Sequence, residues 1–92
     1  MTDASSWLIG TSEECDLTVN ATIVSGAHCR LTRTAEDYVV EDLDSTNGTY
    51  VNGVLITGPT PVSCDDQVTL GQSVAMPWPI EEIDGDTVTR VI

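Results

Sequence analysis

Asp42-Leu43-Asp44-Ser45-Thr46-Asn47-Gly48-Thr49-Tyr50-Val51-Asn52-Gly53 lies at the middle of the chain and decides the reading of its fold. Asn52-Gly53 is a strong hairpin-turn dipeptide, because a two-residue hairpin needs positive φ at both central positions. Thr49-Tyr50-Val51, just before it, is β-branched and aromatic and reads as a strand. Asn47-Gly48 is a second turn signal on the other side of that strand. Working outward, Tyr38-Val39-Val40-Glu41-Asp42-Leu43 reads as a strand after an acidic turn, and 27–33 alternates small or apolar with polar residues. Asp16-Leu17-Thr18-Val19 alternates with period two, and Trp7-Leu8-Ile9 is a strand closed by Gly10. Downstream, Gln67-Val68-Thr69-Leu70 ends at Gly71, and Ser73-Val74-Ala75-Met76 stops at Pro77. Thr57-Gly58-Pro59-Thr60-Pro61 reads as a loop with its own breakers. Met76-Pro77-Trp78-Pro79 cannot be a central strand, since neither proline donates to a ladder. Short strands at this spacing, with no helix-period stretch and no repeat, predict an all-β sandwich or small barrel.

Composition narrows the function. The 92 residues fit one domain, and 40% apolar content supports a small core. Fifteen acidic residues against three basic ones give a net charge of −12. There is no lysine, and the only cations are Arg30, Arg33 and Arg90. Nucleic acid and anionic membrane surfaces are therefore excluded as partners, because affinity for both comes from paired phosphates. No apolar run approaches the ~18 residues of a membrane span. The start, MTDASSWLIG, lacks the basic and apolar regions of a signal peptide. Three cysteines, Cys15, Cys29 and Cys64, form no CxxC pair and read as reduced thiols of a cytoplasmic protein.

Sites that need metals or catalytic sets are weakly supported. His28 and Cys29 are adjacent, and on a strand they point to opposite faces, which opposes a zinc site with Cys15 and Cys64. Asp42-x-Asp44-x-Thr46 begins like a calcium loop, but its sixth position is Asn47 and its twelfth is Gly53. Asn20-Ala21-Thr22 and Asn47-Gly48-Thr49 match the glycosylation sequon, which means little without a secretion signal. His28 is the only histidine, so no Ser/His/Asp or Cys/His set beyond it is available. Glu13-Glu14 and Glu81-Glu82 read as exposed turns rather than a desolvated acid–base couple. The expectation is a non-enzymatic protein with no metal and no cofactor.

Four segments in order resemble the forkhead-associated (FHA) domain: Ile9-Gly10-Thr11-Ser12, Ser25-Gly26-Ala27-His28, the 42–53 stretch, and Asp65-Asp66-Gln67-Val68-Thr69-Leu70-Gly71. The resemblance covers residues 7 to 76. It implies an all-β, FHA-like β-sandwich of short, mainly antiparallel strands, whose loops at one end bind phosphothreonine peptides. The implied chemistry is anion recognition by an arginine, a serine hydroxyl and backbone N–H groups, with an asparagine amide fixing the ligand backbone. On this match the phosphopeptide-binding positions are Thr11, Ser25, Gly26, Thr46 and Asn47. Gly10, His28, Gly48, Asn52 and Gly53 would support the site, His28 by bracing the loops.

Two positions depart from the family's pattern. The arginine expected after Gly10 is Thr11, which supplies one neutral hydrogen bond and no charge. The position after Ser25, often Lys, Arg or Asn, is Gly26. Arg30 and Arg33 lie on the strand that leaves the Ser25 loop and are not expected to replace the lost cation. The expected function is a protein–protein interaction domain with a degenerate phosphopeptide site, a scaffold or assembly module within a larger protein. The alternative is a working phosphothreonine reader in Ser/Thr kinase signalling.

The expected organisation is an N-terminal tail at 1–6, the FHA-like core at 7–76, an acidic Pro/Asp-rich connection at 77–86 and a C-terminal strand at 87–92. The segment before Trp7 is too short for the family's first strand and turn. Val88 to Ile92 is therefore expected to pair beside Trp7-Leu8-Ile9, within one chain or exchanged between two in a dimer, and the protein to continue past Ile92.

Overall fold

A computed structural model describes residues 5–79. Nine strands among them form two sheets. The first sheet contains β1 (Ser6–Gly10), β2 (Leu17–Thr18), β3 (Cys29–Arg33), β4 (Tyr38–Asp42) and β7 (Thr60–Val62), in the order β2-β1-β3-β4-β7. The second contains β5 (Thr49–Val51), β6 (Val54–Leu55), β8 (Val68–Leu70) and β9 (Val74–Ala75), in the order β6-β5-β8-β9. Every pairing is antiparallel except the short parallel one between β1 and β2. This is the expected all-β sandwich.

Period-two alternation sets the inner faces. Trp7 lies opposite Leu31, and Leu31 opposite Val40. Ile9, Cys29, Leu31 and Val40 are fully buried, and Val68 and Leu70 of β8 cap them from the second sheet. Each such Val, Leu or Ile contributes roughly 1.5–3 kcal/mol relative to leaving it in water. Tyr38 stands between Trp7 and Trp78, with ring centroids 6.2 and 5.4 Å away. The turn after β5 has the positive φ values, 52° at Asn52 and 85° at Gly53, that make Asn-Gly suit a tight hairpin.

One sequence expectation needs correction. The 57–61 stretch is not all loop, because Thr60-Pro61 opens β7, with Pro61 opposite Val39. The proline is tolerated because, among the described residues, β7 is an edge strand with no neighbour beyond it to need the missing N–H. Ile9 and Gly10 pair with β2 on the flank away from β3. Leu8 donates its N–H to the Asp16 carboxylate, and its carbonyl accepts the Asp16 N–H. The expected strand at Val88 to Ile92 lies outside the described residues.

Candidate functional site

The loops at 11–16, 19–28, 43–48 and 71–73 gather at one end of the sandwich. The 11–12 and 25–26 segments are zipped together: Thr11 N–H donates to the Ser25 carbonyl at 3.1 Å and Ser12 N–H to the Gly26 carbonyl at 3.2 Å. The approach is close enough to require glycine at position 10, where a Cβ would lie 2.1 Å from the Gly26 oxygen. Ser25 also reaches the third loop, its Oγ accepting the Thr46 N–H at 3.0 Å. That bond occupies a lone pair and leaves the hydroxyl proton to donate elsewhere.

His28 ties these loops from beneath and is fully buried. Its Nδ1 accepts the Ser25 N–H at 3.1 Å, so its Nε2 carries the proton and donates to the Gly48 carbonyl at 2.8 Å. The Gly48 carbonyl also accepts the Gly71 N–H at 2.7 Å, which uses both of its lone pairs. The Asn47 amide donates to the Ile23 carbonyl at 2.8 Å, joining the 19–28 and 43–48 loops directly.

The 43–48 loop is folded around one carboxylate. Asp42 accepts the Ser45 N–H, the Ser45 hydroxyl and the Thr49 hydroxyl, the last at 2.7 Å. Ser45 Oγ in turn accepts the Gly48 N–H at 2.9 Å. Asp44 sits at φ 59°, a left-handed conformation that a short polar side chain tolerates. Partial burial alone would raise the Asp42 carboxyl, but the hydrogen bonds from Ser45 and Thr49 outweigh it and hold the group below its ordinary value. Neighbouring Cys29 goes the other way: burial first, then the nearby Asp42 and Cys15, push its thiol up to about 12. It is a core side chain.

Thr11, Ser25, Gly26, Thr46 and Asn47 therefore meet at one end, with Gly10, His28 and Gly48 packed behind them. Asn52 and Gly53 do not join them. They close the hairpin at the far end of β5, where the Asn52 side chain accepts the Gln67 N–H and donates to Asp66, and so they hold β5 against β8. Arg30 is exposed on the outer face of β3, opposite Glu41, and Arg33 lies at the far end of the same strand. Asp42, Ser45 and the Ile23 carbonyl were not singled out as site residues from sequence. The Asp-x-x-Ser spacing was a usable signal for the first two, because an Asx-type turn satisfies its own backbone that way. Among the described residues no group of three or more His, Cys, Asp or Glu is placed to hold a metal ion. No helix there is long and apolar enough to cross a membrane.

A rigid sandwich that presents hydrogen-bonding loops at one end is a common platform for binding. The FHA domain family model matches residues 7–71, and the chain belongs to that family. FHA domains are phosphopeptide-binding interaction modules. The chain is 36% identical over 66 residues to mouse proliferation marker protein Ki-67, a match covering 72% of this chain and 2% of that protein. It is 34% identical over 67 residues to the FHA domain-containing protein FhaB of Mycolicibacterium smegmatis, covering 73% of this chain and 43% of FhaB. It thus spans less than half the length of either relative. The N-terminal FHA domain of S. cerevisiae Rad53p, solved with a phosphothreonine peptide, is similar at TM-score 0.65 and 27% identity, covering 76% of this chain and 59% of that one.

Proposed function

We propose that this domain is a non-catalytic scaffold that grips a protein segment through the loop end without depending on a phosphate. The observation that carries the reading is Thr11. The residue zipped beside Ser25 bears a neutral side chain where the family's pattern has an arginine. An arginine–phosphate contact is worth roughly 2–5 kcal/mol when one partner of such a pair is removed. At about 1.4 kcal/mol per tenfold, its loss weakens binding by more than an order of magnitude. The −12 charge adds repulsion against a group carrying about −1.5 to −2. The free, reduced Cys15, Cys29 and Cys64 support a cytoplasmic setting.

One observation favours a second reading, a phosphothreonine reader in kinase signalling. Ser25 keeps a hydroxyl proton to donate, and Thr46 and Asn47 stand exposed beside it. The deciding experiment titrates a phosphothreonine peptide library against its unphosphorylated twin. Equal binding supports the scaffold, and clear preference for the phosphorylated set overturns it. Thr11→Arg is expected to raise affinity for the phosphorylated set by at least about tenfold, because the remaining donors are already in place.

A further inference from the structure

Beside Thr11 the loop end carries a groove of about 460 Å³, lined by Thr11, Asn20, Ala21, Thr22 and Val24. Buried Val24 and half-buried Ala21 supply apolar surface. Thr11, Asn20 and Thr22 supply two hydroxyls and an amide, and within the described residues no hydrogen bond engages these three side chains. An apolar surface with a few convergent polar groups is the usual form of a recognition groove. No lining residue is charged.

The charge of the loops at this end is one-sided. The loops at 11–16, 19–28 and 43–48 contain Glu13, Glu14, Asp16 and Asp44, all exposed, and no lysine or arginine. Asp16 is committed to the Leu8 N–H, while no hydrogen bond among the described residues uses the side chains of Glu13, Glu14 or Asp44. The field at this end therefore attracts cations and repels phosphate.

From this groove and the charge at this end we infer that the occupant is an unphosphorylated, extended peptide segment bearing arginine or lysine. Its backbone or a small side chain enters beside Thr11, and its positive side chains lie against Glu13, Glu14 and Asp44. Charge complementarity replaces the arginine–phosphate contact with the opposite polarity: carboxylates on the domain, cations on the ligand. The inference rests on the phosphate-independent reading above and gives that scaffold a partner class.

The test is a fluorescence anisotropy titration with synthetic threonine-centred peptides, flanked by arginine in one set and by glutamate in the other, each with a phosphothreonine twin. The arginine-flanked, unphosphorylated set is expected to bind best. Its affinity should fall at least about fivefold as salt rises from roughly 0.05 to 0.5 M, where the screening length contracts below about 5 Å. The double variant Glu13→Lys/Glu14→Lys, at two exposed positions, should weaken that binding at least about fivefold at low salt. Thr22→Trp, which fills the groove from an exposed position, should abolish it. Arginine-flanked peptides binding no better than glutamate-flanked ones, or not at all, overturns the inference. So does indifference to the charge reversal in a variant whose tryptophan fluorescence is native. If unphosphorylated peptides bind without an arginine preference, only this inference fails. If phosphorylation strengthens binding, the scaffold reading fails with it.

Discussion

Replacing His28 with alanine should strongly destabilise the domain. The imidazole is fully buried, and both its nitrogens are engaged. Its removal leaves the Ser25 N–H without its acceptor, which costs about 1–3 kcal/mol. Losing the Nε2–H bond to Gly48 adds about 0.5–1.5 kcal/mol, less than a full desolvation because Gly71 still serves that carbonyl. The void adds about 1–2 kcal/mol, taken low because loops collapse more readily than sheets. The total is about 2.5–6.5 kcal/mol, against about 5–14 kcal/mol for a domain of this length. Urea unfolding followed by the fluorescence of Trp7 and Trp78, both packed on Tyr38, reads the change as a lower midpoint at unchanged slope. In thermal unfolding the same loss lowers the midpoint by at least about 10 °C. His28→Asn, which can place an amide oxygen near the Ser25 N–H, should recover part of it. A loss under about 1 kcal/mol for His28→Ala would show that the histidine does not brace the loops.

Asp42→Asn should cost about 1.5–3 kcal/mol, because an amide keeps an acceptor but loses the charge that strengthens the bonds from Ser45 and Thr49. Since folding lowers the Asp42 value, its contribution is complete above the unfolded carboxylate range near about 3.9 and is lost as pH falls through the lower folded value. Acid titration of stability should therefore be shallower in Asp42→Asn than in wild type, and identical curves would refute the hub. Thiol labelling of the native protein should modify exposed Cys64 alone, slowly at neutral pH because burial, then Asp65 and Asp37, raise its thiol. Cys15 and Cys29 should react only after denaturation, and fast labelling of three thiols would contradict the core assignment. Gly10→Ala should fail to give folded protein or lose more than about 3 kcal/mol, since its Cβ would lie 2.1 Å from a backbone oxygen; a native-like unfolding midpoint would refute the close approach.

Much of this was legible in the residues because local chemistry and tertiary role coincide. Asn52-Gly53 specified its hairpin by the φ values it tolerates, and the alternation at 38–42 placed Tyr38 and Val40 inside. The histidine three residues after Ser25 and the Thr46-Asn47 pair located the loop end through the family's pattern. What stayed hidden depends on neighbours distant in sequence. Thr60-Pro61 becomes a strand only because β4 offers it a one-sided edge, which no local signal encodes. The Ile23 carbonyl is a partner only because the fold brings Asn47 to it, 24 positions away. Asp42 was read against a calcium-loop template, and its service to Ser45 and Thr49 needs the turn to exist first. The groove beside Thr11 is likewise a property of two loops lying together.

The Gly48 carbonyl receives a donor from each half of the sandwich, His28 on the β3 side and Gly71 at the β8 turn. The other end is closed by the stack of Trp7, Tyr38 and Trp78. The molecule is thus riveted by polar bonds at one pole and glued by apolar contact at the other. These two fastenings answer temperature differently. Apolar adhesion weakens on cooling, while hydrogen bonds hold. Chilling therefore loosens the aromatic pole before the recognition pole, and the loops keep their shape in a domain whose opposite end has begun to breathe. Amide exchange would register this as protection at Ser25, Thr46 and Gly71 outlasting that at Arg33 as temperature drops.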